Sequence, residues 1–155
     1  MGQIYTRDEL LRVRGVWKRD GKPVVFTNGC YDLLHPGHIR LLEQARSLGD
    51  VLVLALNTDA SVRRMKGAGR PLVAEGDRAA LVAALQAVDA VTLFDEDTPR
   101  ELIASLLPDV LVKGADWSHF IAGREEVEAA GGRVVALPLE PGYSTTAMVE
   151  RIREN

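Results

Sequence analysis

The sequence predicts an α/β fold built on a doubly wound parallel sheet of five strands, ordered 3-2-1-4-5, with helices on both faces to make three layers. Three observations carry that prediction. Five short apolar runs, rich in Val and Leu, recur along the 155 residues. These runs show little apolar–polar alternation, which is how strands buried on both faces read. Helical stretches separate each run from the next, and crossovers of that kind bring successive strands back parallel and right-handed.

The elements follow in order. Thr6 to Glu9, "TRDE", reads as a capping box opening a helix that ends near Gly21. "PVVFT" (23–27) is the first strand. "GHIRLLEQARSLG" follows as a helix that brings Ile39, Leu42, Ala45 and Arg46 near one another, with Gly49 as its C-cap. "VLVLALN" (51–57) is the second strand, and the basic stretch "VRRMKGAGRP" (62–71) reads as a mobile loop. "EGDRAALVAALQAV" is Ala-rich and helical, and leads to the third strand, "AVTLF" (90–94). "TPRELIASLL" opens with Thr98 as N-cap, Pro99 at the first helical position and Glu101 at the third. "DVLVK" (109–113) is the fourth strand, "GREEVEAAGG" a helix ending in glycines, "RVVALP" (133–138) the fifth strand and "STTAMVERIREN" the last helix. No repeat, low-complexity segment or linker interrupts the pattern. Residues 1–155 read as one domain, with 1–21 as an N-terminal helix.

Bulk properties narrow the function. Hydrophobic residues make up 46% and charged residues 26%, the balance of a globular protein. Net charge is −3, so a dedicated nucleic-acid binder is disfavoured and no nucleic-acid partner is expected. Cys30 is the only cysteine, which excludes an intramolecular disulfide. The N-terminus has no apolar signal region, and no apolar run approaches the roughly 20 residues that span a bilayer. A cytoplasmic protein without a membrane partner is the expectation.

Function is concentrated in "NGCYDLLHPGH", Asn28 to His38, directly after the first strand. In doubly wound sheets, ligands bind beyond the carboxyl ends of the strands at the switch point of strand order. Gly29 allows a tight turn and close backbone approach to a ligand. Pro36 and Gly37 suit the first positions of a helix, which puts His35 at its start and His38 in its first turn. A helix N-terminus attracts phosphate, and two imidazoles there can donate to its oxygens. That arrangement stabilises charge building on a phosphorus under attack and offers no nucleophile of its own. Cys30, Asp32, His35 and His38 could also ligate a metal, but their spacing matches no metal motif, and no protein metal site is expected.

Three further segments bear on anions. Arg63, Arg64, Lys66 and Arg70 surround two glycines and supply the positive charge an acidic protein needs to hold them. Ser144, Thr145 and Thr146 open a helix and form a second candidate phosphate cradle. "VKGADW" follows the fourth strand, so Lys113, Gly114 and Asp116 face the histidines across the crevice. His119 reads as exposed.

The signature "GCYDLLHPGH" resembles G-x-F-D-x-x-H-x-G-H of the HxGH nucleotidyltransferase superfamily, with Tyr31 where Phe is usual. "VVFTNGCYDLLHPGH", "LNTDASVRRMKGAGRP", "FDEDTP", "LPDVLVKGAD" and "GYSTT" are similar, more narrowly, to the adenylyltransferases of ADP-heptose synthesis. The resemblance implies a Rossmann-like fold and attack of a sugar 1-phosphate on the α-phosphate of ATP, with pyrophosphate leaving and Mg²⁺ carried by the triphosphate. It implies that His35, His38 and Lys66 are catalytic. Thr27, Asn28, Gly29, Gly37, Lys113, Gly114 and Asp116 would bind the nucleotide, and Ser144, Thr145 and Thr146 the terminal phosphates. Asp32 would organise the turn, and Arg78 matches a family arginine of unassigned role. A homodimer is implied too, and a separate sugar kinase, because 155 residues leave no room for a kinase domain. Glycerol-3-phosphate cytidylyltransferases share the chemistry but tend to carry an arginine shortly before the "STT" glycine, where this chain has Leu139 and Glu140. A nucleotide-binding module without turnover is the alternative from another class.

Overall fold

The computed structural model describes residues 2–114 and 120–155. Its elements are β1 (Gln3–Ile4), α1 (Arg7–Arg19), β2 (Val24–Gly29), α2 (Pro36–Arg46), β3 (Val51–Asn57), α3 (Asp59–Lys66), α4 (Glu75–Ala83), β4 (Ala90–Phe94), α5 (Arg100–Leu106), β5 (Val110–Gly114), α6 (Arg124–Ala129), β6 (Arg133–Leu137) and α7 (Thr145–Glu154). The described residues form one parallel sheet in the order β1-β4-β3-β2-β5-β6. Counted from β2, the five longer strands stand in the expected order 3-2-1-4-5. The expected count of five is corrected to six, because β1 adds an edge strand beside β4. The Tyr5 N–H donates to Val91 O at 2.8 Å and the Gln3 N–H to Asp89 O at 3.1 Å. Two exposed residues carry no hydrophobic period, so pattern alone does not announce this strand.

The unbroken apolar runs have a simple cause. All seven residues of β3 are buried, because helices cover both faces of the sheet. Val24 and Phe26 of β2, with Val53 of β3, pack with Leu10, Leu102, Ile103 and Val127 on one face. Val25, Leu52, Leu54 and Leu56 pack with Leu42 and Val82 on the other. Each such side chain contributes about 1.5–3 kcal/mol by leaving water. The N-terminal helix belongs to this core. Thr6 and Glu9 form the capping box of α1, Leu10 is fully buried, and Arg14 donates to Leu106 O and Leu107 O at the end of α5.

Several local expectations shift. The stretch read as a loop from residue 62 begins as α3, whose N-cap Thr58 accepts from the Ser61 N–H; the loop starts only at Gly67. Ser61 and Val62 are the buried residues of this helix, too few to show a helical period. α5 starts one residue later than expected: Pro99 is the N-cap, with no side-chain cap bond, and Thr98 lies outside the helix. α4 ends at Ala83 and a turn follows, short of residue 88. Among the described residues no helix is long and apolar enough to cross a membrane.

The topology sets the site. β2 lies between β3 and β5: the chain runs from β2 out to β3 and β4 on one side, then crosses back to β5 on the other. A crevice therefore opens above the carboxyl ends of β2 and β5, where the residues after Thr27 emerge.

Candidate active site

Thr27 is buried, and its hydroxyl donates to Val112 O at 3.1 Å, so it ties β2 to β5 at the crevice floor. A Cβ on Gly29 would lie 2.8 Å from the Tyr31 ring, so glycine leaves the space that ring occupies. Tyr31 takes a left-handed backbone (φ 49°), is buried, and tilts its ring against His38 at 4.8 Å between centroids. The Asp32 carboxylate accepts from the Leu72 and Val73 N–H groups and from Arg70 Nε, each at 2.9 Å. Burial alone would raise this carboxyl, but those three donors outweigh it and hold it below the ordinary range. Asp32 thus fastens the 70–73 segment over the turn.

His35 and His38 cap α2 reciprocally. The His38 N–H donates to His35 Nδ1 at 3.4 Å, and the His35 N–H donates to His38 Nδ1 at 3.2 Å. Both Nδ1 atoms are acceptors, so each neutral ring carries its hydrogen on Nε2. The rings stack at 3.8 Å, and Tyr143 stacks on the outer face of His35 at 5.8 Å. A Cβ on Gly37 would stand 2.9 Å from the His35 ring, so this glycine makes room for the imidazole. Burial lowers the pKa of His35. Burial, with the charges of His35 and Lys66, pushes His38 down to about 4. The pair is therefore neutral near pH 7 and offers Nε2–H donors.

The crevice has two lobes. One, of about 230 Å³, is walled by His38, Arg70, Leu139 and Thr145. The other, of about 350 Å³, is walled by Asn57, Met65, Phe94, Asp97 and Phe120. Asn28, Gly29, Cys30, Lys66 and Lys113 belong to both and form the boundary. Lys66 ends α3 and is exposed there. Lys113 donates to Asn28 Oδ1, and burial pushes its ammonium down to about 8. A groove of about 530 Å³ between α2 and the turn after α4 lies away from the carboxyl ends of the strands, and its Arg46 is paired with Asp89 at 2.8 Å.

The structure brings together His38, Lys66, Thr27, Asn28, Gly29, Lys113, Gly114 and Thr145 on the crevice walls. His35 stands behind His38 rather than on the wall, and borders a neighbouring surface groove. Ser144 is the N-cap of α7, accepting from the Ala147 N–H at 3.0 Å, and Thr145 donates to Leu33 O at 3.0 Å. Thr146 is exposed in the first turn. Asp116 and His119 lie outside the described residues.

Three residues take roles that spacing does not announce. Arg78 is fully buried and donates to Cys30 O at 2.7 Å, Val73 O at 2.9 Å and Asp59 at 2.8 Å. It thus joins the signature turn, the 70s segment and the start of α3. Asn57 is buried, donates to Ser61 Oγ at 3.0 Å and accepts from the Cys30 thiol. Arg70 is turned inward onto Asp32. Among the described residues no group of three or more His, Cys, Asp or Glu side chains is placed to hold a metal ion.

A sequence model of the Cytidylyltransferase-like family matches residues 26–151. Among curated proteins, the Bifunctional protein HldE of Syntrophotalea carbinolica is 54% identical over 97% of this chain and 31% of its own length. The Bifunctional protein HldE of Koribacter versatilis is 53% identical over 96% of this chain and 31% of its own. The chain thus spans about a third of the length of these relatives. Among solved structures, the lipopolysaccharide core biosynthesis protein of Thermoplasma volcanium superposes with a TM-score of 0.63 at 28% identity, covering 77% of this chain and 98% of that one.

Proposed function

The chain belongs to the cytidylyltransferase-like family, and from that premise we propose that it transfers AMP from ATP to a sugar 1-phosphate, D-glycero-β-D-manno-heptose 1-phosphate, giving ADP-heptose and pyrophosphate. The observation that carries this reading is the reciprocal histidine cap, which leaves His38 with an Nε2–H donor at a helix N-terminus beside Lys66, with His35 stacked behind it.

In this reading the lobe of His38, Arg70, Leu139 and Thr145 takes the nucleotide and the lobe of Asn57, Met65 and Phe94 the sugar phosphate, so the phosphates meet at the boundary. An oxygen of the sugar phosphate attacks the α-phosphorus. That P–O bond forms as the bond to the β-phosphate's bridging oxygen breaks, and pyrophosphate leaves with the electron pair. The chain supplies no nucleophile. His38, with His35 behind it, donates to the phosphoryl oxygens as charge builds, and Lys66 provides the cation at the junction. Asn28, Gly29, Lys113, Gly114 and the first turn of α7, Ser144 to Thr146, hold the nucleotide. Mg²⁺, carried by the triphosphate, would neutralise charge on its oxygens, and no side chain of this protein is assigned to hold it. The resemblance in "FDEDTP" supports the sugar phosphate acceptor, and the likeness to a lipopolysaccharide core biosynthesis protein agrees with it. Leu139 faces the nucleotide lobe and Glu140 pairs with Arg40, so neither presents a cation to a base, which supports ATP over CTP. The acceptor is itself a phosphoester, so a kinase-class reaction supplies it, and its ATP partner places the reaction in the cytoplasm.

Pyrophosphate release decides the reading. ATP and CTP are each paired with heptose 1-phosphate and with glycerol 3-phosphate, in the presence of Mg²⁺. We expect release from ATP with heptose 1-phosphate. Release from CTP with glycerol 3-phosphate would replace both substrates while keeping the site. Silence from every pair, with nucleotide binding intact, would make the chain a binding module.

A further inference from the structure

Arg70 has a divided guanidinium. Its Nε donates to Asp32, whose carboxylate is 1% exposed, while the arginine side chain is 14% exposed. Its Nη2 is buried and has no hydrogen-bond partner, the one such side-chain nitrogen or oxygen among the described residues. A buried, charged N–H group without an acceptor is costly, and native structures retain few of them. Arg70 also walls the lobe that holds His38, Lys66 and Thr145, where phosphates are expected. Arginine suits that position, because its planar fork can hold a carboxylate with one edge and a phosphoryl oxygen with another.

We propose that Arg70 is a phosphate-binding residue: Asp32 fixes its Nε, and a small rotation of the guanidinium about that bond presents Nη2 to a phosphoryl oxygen of the bound substrate. The inference rests on the nucleotidyl-transfer reading and adds a second cation to the junction. Asp32 is thereby a positioning residue. It aims Arg70 and, through Leu72 and Val73, anchors the segment that carries it.

Calorimetric titration of the full chain with three probes tests this: ATP with Mg²⁺, inorganic pyrophosphate, and heptose 1-phosphate. Arg70→Lys keeps a cation for Asp32 but lacks the second arm. We expect its melting temperature to stay within a few degrees of wild type while affinity for a phosphate ligand falls about tenfold or more. Arg70→Gln should lose at least as much. Weakening for ATP and pyrophosphate identifies the triphosphate as the ligand; weakening for heptose 1-phosphate alone identifies the acceptor. Unchanged affinities in both variants overturn the proposal. So does full affinity in the lysine variant, because Arg70 would then act only through Asp32, and so does a wild-type chain that binds none of the probes. Binding is read without turnover. A chain that binds through Arg70 yet releases no pyrophosphate removes adenylyl transfer and leaves this inference standing.

Discussion

Burial, and the charges of His35 and Lys66, hold the His38 imidazole down at about 4, and burial lowers His35 as well. The unfolded chain therefore binds protons at these two positions in a range where the folded chain does not. Stability rises with pH wherever the unfolded state holds more protons, so it falls as pH drops from about 6.5 toward 4. Asp32 and Glu96 are lowered carboxylates, and their contribution is lost at still lower pH. Urea unfolding at several pH values should show a decline in the upper window that His38→Ala reduces. The same variant should lose about a hundredfold or more in turnover, roughly the effect of removing one transition-state donor; near-normal turnover would dissociate the histidine from the chemistry. Arg78→Met should destabilise by about 3–5 kcal/mol in denaturant titration, because Cys30 O, Val73 O and Asp59 lose a shared buried donor. A loss under about 1 kcal/mol would mean that the turn holds without it.

At the level of elements, the start of α2 combines stability and function in one residue. His35→Ala should cost about 0.5–2 kcal/mol as a lost N-cap, whereas His35→Asn retains a capping oxygen and should keep most of that stability. Both should turn over slowly, so comparing melting temperature with turnover separates the cap from the donor. The elements also show what pattern can convey. The start of α2 is readable because Pro36, Gly37 and the two histidines follow an apolar run at helix-opening spacing. The start of α7 is readable from its hydroxyls, but which hydroxyl meets the crevice depends on Leu33 O accepting from Thr145 across the fold. β1 and α3 escape because their burial or pairing is too brief to leave a period. Arg78 escapes for a tertiary reason: within an Ala-rich helix it looks like any surface arginine, and its acceptors come from segments far away in the chain.

For the whole molecule, strand order is the deciding feature. β2 stands between β3 and β5, so residues from its end, from α3 and from β5 share one boundary between two lobes. Lys66 lines both lobes and Thr145 one. Lys66→Ala should therefore weaken steady-state use of both substrates, while Thr145→Val should raise KM for the nucleotide with little change for the sugar phosphate. Equal effects of the two variants on both substrates would contradict the assignment of lobes. The order of the five longer strands and the position of the crevice follow from five apolar runs and the signature that ends the first, whereas the sixth strand β1 and helix α3 do not. The division of the crevice is not legible in that way, because Phe94 and Asp97 reach the far lobe from the end of β4 and the turn after it, and Phe120 from the stretch that precedes α6.

The interlocked imidazoles have a consequence for proton traffic. In each ring one nitrogen already carries a hydrogen and the other is engaged by a backbone amide. Neither has a vacancy for an incoming proton unless the helix end is first released. The pair is thus a poor relay and a good fixed dipole. It can steady charge that appears on phosphate, but the reaction it serves must be one whose nucleophile arrives already ionised, as a phosphate ester does.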